Sequence, residues 1–225
     1  MRPRLLDLFC GAGGAGEGYH RAGFDVVGVD INPQPNYPFT FVRADVMRVF
    51  WEGFWILGGI SDFDAIHASP PCQAYSTTKS LHDTSYPDLV GPVRDLLLET
   101  GKPYVIENVA GAPLIQPFKL CGSSFGLNVW RHRLFETNWD VGMVPPCSHR
   151  EFPAPIDVTG TGSRRIYDRL DGAGGNSRKP RNLEEAQTAM GIDWMTRREL
   201  SEAIPPAYTE FIGSQLLAHI GAPVA

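Results

Sequence analysis

Apolar strand-like runs and helical stretches take turns along the first half of this chain, and that alternation restricts its fold more than any other feature. Leu5-Leu6-Asp7-Leu8-Phe9 reads as a buried strand, followed by a glycine-rich turn and a helix through Ala22. Val26 to Asp30 and Phe39 to Ala44 read as further strands, Val46 to Leu57 as a helix, and Phe63 to Ala68 as the next strand. Leu89 to Thr100 then reads as a helix and Tyr104 to Glu107 as a strand. Parallel strands need long crossovers, so this order predicts an α/β fold: an open, mostly parallel, doubly wound sheet with helices on both faces.

The pattern changes at Trp139. Pro145-Pro146, Pro153-Ala-Pro155, Gly160-Thr-Gly162 and Gly172-Ala-Gly-Gly175 break up a stretch with little periodicity, which reads as loops and short strands. Helical pattern returns at Asn182 to Met190, with Asn182 as cap, and a last helix starts at Pro205-Pro206 and runs to about Ile220. The expected organisation is a body made of residues 1–138 and 182–225, carrying a small irregular insertion at 139–181. A chain of 225 residues suits one such domain.

The net charge is −5, but residues 141–181 alone carry +3 and the remainder −8. A basic segment on an acidic body fits a phosphate backbone, with Arg164, Arg165, Arg178 and Lys179 as candidate nucleic-acid contacts. No apolar stretch approaches the roughly 20 residues of a membrane span. Met1-Arg2-Pro3-Arg4 leads straight into a strand pattern without a signal-peptide core, so a cytoplasmic protein is expected. Cys10, Cys72, Cys121 and Cys147 include no C-x-x-C pair, which argues against a disulfide framework and a zinc cluster. Cys147 and His149 are near neighbours that would need metal-binding partners from elsewhere; no metal is expected.

Two loops carry chemistry. Ser69-Pro-Pro-Cys72-Gln follows an apolar strand, so the cysteine emerges at a strand's carboxyl end, where open α/β sheets build their sites. Two prolines stiffen the loop, as suits an aimed nucleophile, although a structural cysteine behind a turn is the plainer reading. Gly11-Ala-Gly13-Gly14-Ala-Gly16 holds a G-x-G-x-x-G at a strand-to-helix turn, with Asp30 at the end of the next strand. That pairing fits any nucleoside cofactor, dinucleotide or S-adenosylmethionine alike. Glu107-Asn-Val ends the strand after Cys72, at the same sheet edge. Arg131-His-Arg133 follows, and its two arginines would share one face if extended.

Taken together, Asp-Leu-Phe-x-Gly-x-Gly-Gly, Pro-Pro-Cys-Gln, Glu-Asn-Val and Arg-x-Arg resemble the cytosine-C5 DNA methyltransferases, in the short form found in phage genomes. The resemblance covers nearly all of the chain outside 139–181, and Ala203-Ile204-Pro205-Pro206 is similar to the family's last motif. It implies a sheet of the S-adenosylmethionine-dependent methyltransferase type, that cofactor, a double-stranded DNA substrate with a flipped cytosine, and a setting such as restriction-modification. By the same resemblance Cys72 adds to cytosine C6, Glu107 engages N3, Arg133 holds O2 and Arg131 supports it. Phe9, Ala12, Gly14, Asp30, Ile31, Asp45, Val46, Pro71, Leu89, Ala203 and Ile204 match positions around the cofactor. The chain departs from the family at Val129, where glutamine is usual, and at Ser201-Glu202, where Gly-Asn is usual. Other readings remain: the same chemistry on RNA or a free pyrimidine nucleotide, an NAD-dependent oxidoreductase, or a non-catalytic nucleic-acid-binding relative.

Overall fold

Leu5, Leu6 and Leu8 of strand β1 (Arg4–Leu8) are fully buried, as a strand covered on both faces requires. The computed structural model describes residues 1–52, 58–72, 88–149, 155–159 and 177–222. Strands β2 (Asp25–Asp30), β3 (Thr40–Arg43), β4 (Ala65–Ala68), β5 (Tyr104–Asn108), β6 (Phe118–Leu120) and β7 (Arg133–Thr137) complete a seven-stranded sheet, ordered β3-β2-β1-β4-β5-β7-β6. Strands β1 to β5 run parallel to one another, while β7 runs antiparallel to both β5 and β6. The helices are α1 (Gly14–Ala22), α2 (Val46–Trp51), α3 (Val90–Glu99), α4 (Leu183–Met190), α5 (Arg197–Glu202) and α6 (Pro206–His219). The mostly parallel, doubly wound α/β sheet is thus observed.

Because successive strand residues face opposite sides, the sheet sorts its apolar residues into two cores. Leu5, Val26, Ala65, Val105 and Phe135 face α1 and α6. Leu6, Val27, Ile66 and Ile106 face α2 and α3. A third cluster joins Val129, Ile156 and Val158 to Ala186, Ala189 and Met190 of α4. Trp139 and Val141 sit in the α1/α6 core, so the described flanks of segment 139–181 pack into the body.

Helix α2, strands β6 and β7, and helix α5 depart from the sequence expectations. Helix α2 ends at Trp51 with Glu52 as its cap, and residues 53–57 lie outside those described. Strand β7 is masked in sequence because Glu136 is buried within it, neutralised by Arg94 at 2.6 Å. Helix α5 is short, but its Thr196-x-x-Glu199 capping box is a sequence signal that could have located it.

Glycines set the α1–α6 crossing. A Cβ on Gly18 would run into the Pro206 carbonyl and the Thr209 hydroxyl, which itself donates to the Ala15 carbonyl at 2.8 Å. In an exposed helix, alanine in place of glycine stabilises by about 1 kcal/mol. Here Gly18→Ala is expected to destabilise by about 1–3 kcal/mol through overpacking. The readout is a lower urea midpoint at unchanged slope; a raised midpoint would mean that the crossing yields freely.

Candidate active site

The carboxyl ends of β1, β2, β4 and β5 open onto one cleft of about 340 Å³, within the size range of small-molecule sites. The loop after β1 forms its floor. Phe9 has a left-handed backbone, φ 58°, which is uncommon for a residue with a side chain and marks a constrained turn. The Gly11 N–H donates to Asp30 Oδ2 at 3.1 Å and the Asn32 N–H to Oδ1 at 2.8 Å, so one carboxylate clamps both loops. The Trp194 indole N–H donates to the Ala12 carbonyl at 2.9 Å. A Cβ on Gly14 would strike the Ile204 carbonyl and lie 3.2 Å from Ala203 Cβ. Glycine there lets the chain's closing segment approach the loop and form the opposite wall.

At the other end of the cleft, the Asn108 side chain donates to the Pro70 carbonyl at 3.0 Å and fastens the Pro-Pro-Cys loop to the end of β5. Half-buried Cys72 then lies near Glu107 and Arg133 on the cleft wall. Arg133 Nε is 3.0 Å from Glu107 Oε1, and both side chains are largely buried. Burial raises the Glu107 carboxyl above its ordinary range, while Arg133, the Ser69 hydroxyl and Arg131 draw it back. Burial also raises the Cys72 thiol, opposed by the Arg133 charge and reinforced by Glu107. Ser69 is in turn held by His67 Nε2 at 2.8 Å, and His67 Nδ1 by the Tyr19 hydroxyl at 3.0 Å.

The arginine pair is arranged differently from the extended reading. Arg131 precedes β7 with a left-handed φ of 34°, so it does not share a strand face with Arg133. Its Nε donates to the Ala203 carbonyl at 2.7 Å and its Nη2 to the Ser201 carbonyl at 2.8 Å. It thereby ties the loop before β7 to the closing wall. The buried Tyr208 hydroxyl reaches the Trp130 and Arg131 carbonyls at 3.1 and 2.9 Å and steadies this bend from α6.

Of the residues singled out in sequence, Phe9, Ala12, Gly14, Asp30, Ile31, Pro71, Cys72, Glu107, Arg133, Ala203 and Ile204 meet on the cleft wall. Asp45, Val46 and Leu89 stand elsewhere: Asp45 caps α2 through the Met47 N–H, Val46 is core, and Leu89 packs beside α3. Arg178 pairs with Glu185 at 2.7 Å and Lys179 with Asp157 at 2.9 Å, while Arg164 and Arg165 lie outside the described residues. Sequence reasoning missed Ser69, Asn108 and Tyr208, whose polar groups acquire partners only through folding. It also missed a convergence of Cys121, His132, Cys147 and His149, which revises the expectation that no metal-binding cluster would form.

Asp7 lines the same cleft and is fully buried; Tyr37 donates to its Oδ2 at 3.3 Å, and its Oδ1 has no hydrogen-bond partner among the described residues. Burial pushes its carboxyl up to about 7. An unfolded aspartate releases its proton near pH ~4. Native protein therefore holds the extra proton between that value and about 7, and stability declines as pH rises through this window. Asp7→Asn, which keeps an acceptor for Tyr37, should flatten that decline. A gain of up to about 4 kcal/mol over wild type is expected above the window, by urea unfolding across pH. Parallel pH profiles for the two proteins would show that Asp7 does not titrate there.

Residues 3–112 match the family model of the C-5 cytosine-specific DNA methylases. Among curated proteins, the chain is 36% identical over 122 residues to the type II methyltransferase M.XorII of Xanthomonas oryzae, a match covering 49% of this chain and 29% of that protein. It is 30% identical over 125 residues to M.AgeI of Thalassovita gelatinovora, covering 48% of this chain and 28% of that protein. The matches span less than a third of either relative. Among solved structures, a prophage-encoded E. coli protein described as a DNA modification methyltransferase superposes with a TM-score of 0.66 at 17% identity, covering 97% of this chain and 99% of its own. S. pombe Dnmt2 methyltransferase superposes at 0.59 with 15% identity, covering 98% and 99%. These two likenesses establish the fold. Among the described residues no helix is long and apolar enough to cross a membrane.

Proposed function

We propose, for a chain whose residues 3–112 match the family model of the C-5 cytosine-specific DNA methylases, that it methylates C5 of a cytosine in DNA with S-adenosylmethionine as donor. The observation that carries this reading is the meeting of Cys72, Glu107 and Arg133 at one end of a cleft whose other end is a glycine loop.

The residues present suit the cofactor. Gly14 lets the Ala203-Ile204 wall close onto the glycine loop and bound the cleft, and Ile31, 58% exposed, offers an apolar face there. Each Asp30 oxygen accepts one backbone N–H and keeps capacity to accept from a ribose hydroxyl. When bound, S-adenosylmethionine supplies the electrophilic methyl that an activated C5 takes up.

The chain's own residues supply the activation. Cys72 gives up its thiol proton to solvent, its thiolate Sγ adds to cytosine C6, and the electron pair of the C5–C6 double bond moves through the ring towards N3. Glu107, whose burial favours the protonated carboxyl, supports N3 as that charge arrives. Arg133 is fixed by its ion pair with Glu107 and directs its remaining N–H groups at O2. C5 then has carbanion character. Loss of the C5 proton after methylation restores the double bond and expels the cysteine. Cys72 and Glu107 are recessed, so a base paired within a duplex must flip out to reach them.

The experiment supplies methyl-labelled S-adenosylmethionine with DNA, RNA and free nucleotides as separate acceptors. 5-Methylcytosine in the DNA arm is expected, together with a denaturation-resistant adduct on DNA containing 5-fluorocytosine, whose fluorine cannot leave as the proton does. Label confined to RNA or nucleotides would overturn the DNA assignment. Methylation of ordinary DNA without the adduct would overturn the covalent route.

A further inference from the structure

We propose that Cys121, His132, Cys147 and His149 hold a structural zinc ion that fastens the outer edge of the sheet to the segment following β7. The four residues come from three places in the chain. Cys121 directly follows β6, His132 directly precedes β7, and Cys147 and His149 lie beyond its end. Folding gathers one ligand atom from each within 4.8 Å of all the others.

Three of the ligand spacings come close to those of a tetrahedron. His132 Nε2 and His149 Nε2 are 3.1 Å apart, Cys121 Sγ lies 3.4 Å from His149 Nε2, and Cys147 Sγ lies 3.6 Å from His132 Nε2. Zinc bonds of about 2.0–2.1 Å to nitrogen and about 2.3 Å to sulfur place tetrahedral ligand atoms roughly 3.3–3.8 Å apart. Two thiols and two imidazole nitrogens facing one point make a poor hydrogen-bond network, since sulfur is a weak donor and a weak acceptor. A soft divalent cation satisfies all four together, and two cysteines with two histidines form a donor set that selects zinc.

The surroundings orient the ligands. Ser123 Oγ lies 3.1 Å from Cys121 Sγ and itself accepts the Ser148 N–H at 3.1 Å, joining two ligand-bearing segments. Trp130 stacks on His149 with ring centroids 4.1 Å apart and planes 11° from parallel. Four protein ligands leave no open position, which is the pattern of a structural site and not a catalytic one. His132 stands between Arg131 and Arg133, so an ion here would brace the bend that presents Arg133 to Glu107. It would also anchor residues 141–149, the approach to the glycine- and proline-rich segment.

The test measures metal directly and does not depend on what the enzyme methylates. Full-length protein is purified under reducing conditions from zinc-supplemented cells, and metal is counted by mass spectrometry. About one zinc per chain is expected. Cys121→Ser and His149→Ala should each lose most of it, whereas Cys10→Ser, outside the cluster, should keep it. Should those variants fail to fold, wild-type protein stripped of metal and reloaded with cobalt(II) decides: the ligand-field bands of tetrahedral cobalt with thiolate charge transfer are expected. Folded wild-type protein that carries no zinc and gives no such spectrum would overturn the proposal. So would an intact mass showing a Cys121–Cys147 disulfide in metal-free chain.

Discussion

Cys72→Ala is expected to abolish methyl transfer to DNA while leaving S-adenosylmethionine binding nearly unchanged. The thiol is proposed to form the bond to C6, and without it C5 remains too weak a nucleophile to take a methyl group. Removing the nucleophile of a covalent enzyme costs on the order of 10⁴–10⁶ in turnover, and a loss of that size would put the variant at background. Cofactor affinity should survive because its proposed contacts lie mainly on the glycine loop, Asp30 and the Ala203-Ile204 wall and do not include the thiol. The variant carries its own control, since alanine removes a half-buried sulfur and little packing. Titration calorimetry with S-adenosylmethionine and a labelled-methyl assay on the same preparation separate the two effects. Residual turnover near wild type would remove Cys72 from the chemistry.

Glu107→Gln should lower turnover by about 10²–10⁴, the usual contribution of a positioned general acid, with a smaller effect on DNA affinity. Glutamine keeps the shape and an oxygen for Arg133, but its amide can only hydrogen-bond N3 and has no acidic proton to pass to it. Breaking a buried ion pair is also costly to the fold, so unfolding should be measured on the same samples. A pH profile separates chemistry from structure. Because burial raises the Glu107 carboxyl, wild-type turnover should persist above the ordinary carboxylate range and decline as pH rises through the raised value. Glu107→Gln should lack that limb. An unchanged pH profile, or turnover close to wild type, would assign Glu107 a purely structural part.

Much of this was written in short stretches of the chain. The alternation from Leu5 to Glu107 is legible because each strand and helix carries its own apolar period, and a parallel sheet needs little more. The residues of the cleft are legible for a related reason. Loops at strand ends must carry unusual backbone, and glycine, proline and the residues beside them announce it, as at Gly11 to Gly16 and Ser69 to Cys72. Asn182, which accepts the Glu185 N–H at 2.8 Å, could be named as a cap for the same local reason.

The tertiary structure decided whatever depends on segments distant in sequence. Strand β7 hides its strand character because Glu136 is buried there, and Arg94, 42 residues away, together with the Ile115 N–H and the Tyr104 hydroxyl, makes that burial tolerable. Arg131 and Arg133 look like a matched pair until the bend at Arg131 turns one towards Ser201 and Ala203 and leaves the other on Glu107. That bend is held by Tyr208, 77 residues on, whose hydroxyl had no identifiable partner in the sequence. Cys121, His132, Cys147 and His149 are spaced too irregularly to suggest a metal site, since such spacing is regular only when one local turn supplies the ligands. Here packing of the outer hairpin supplies them, and packing is a property of the folded whole.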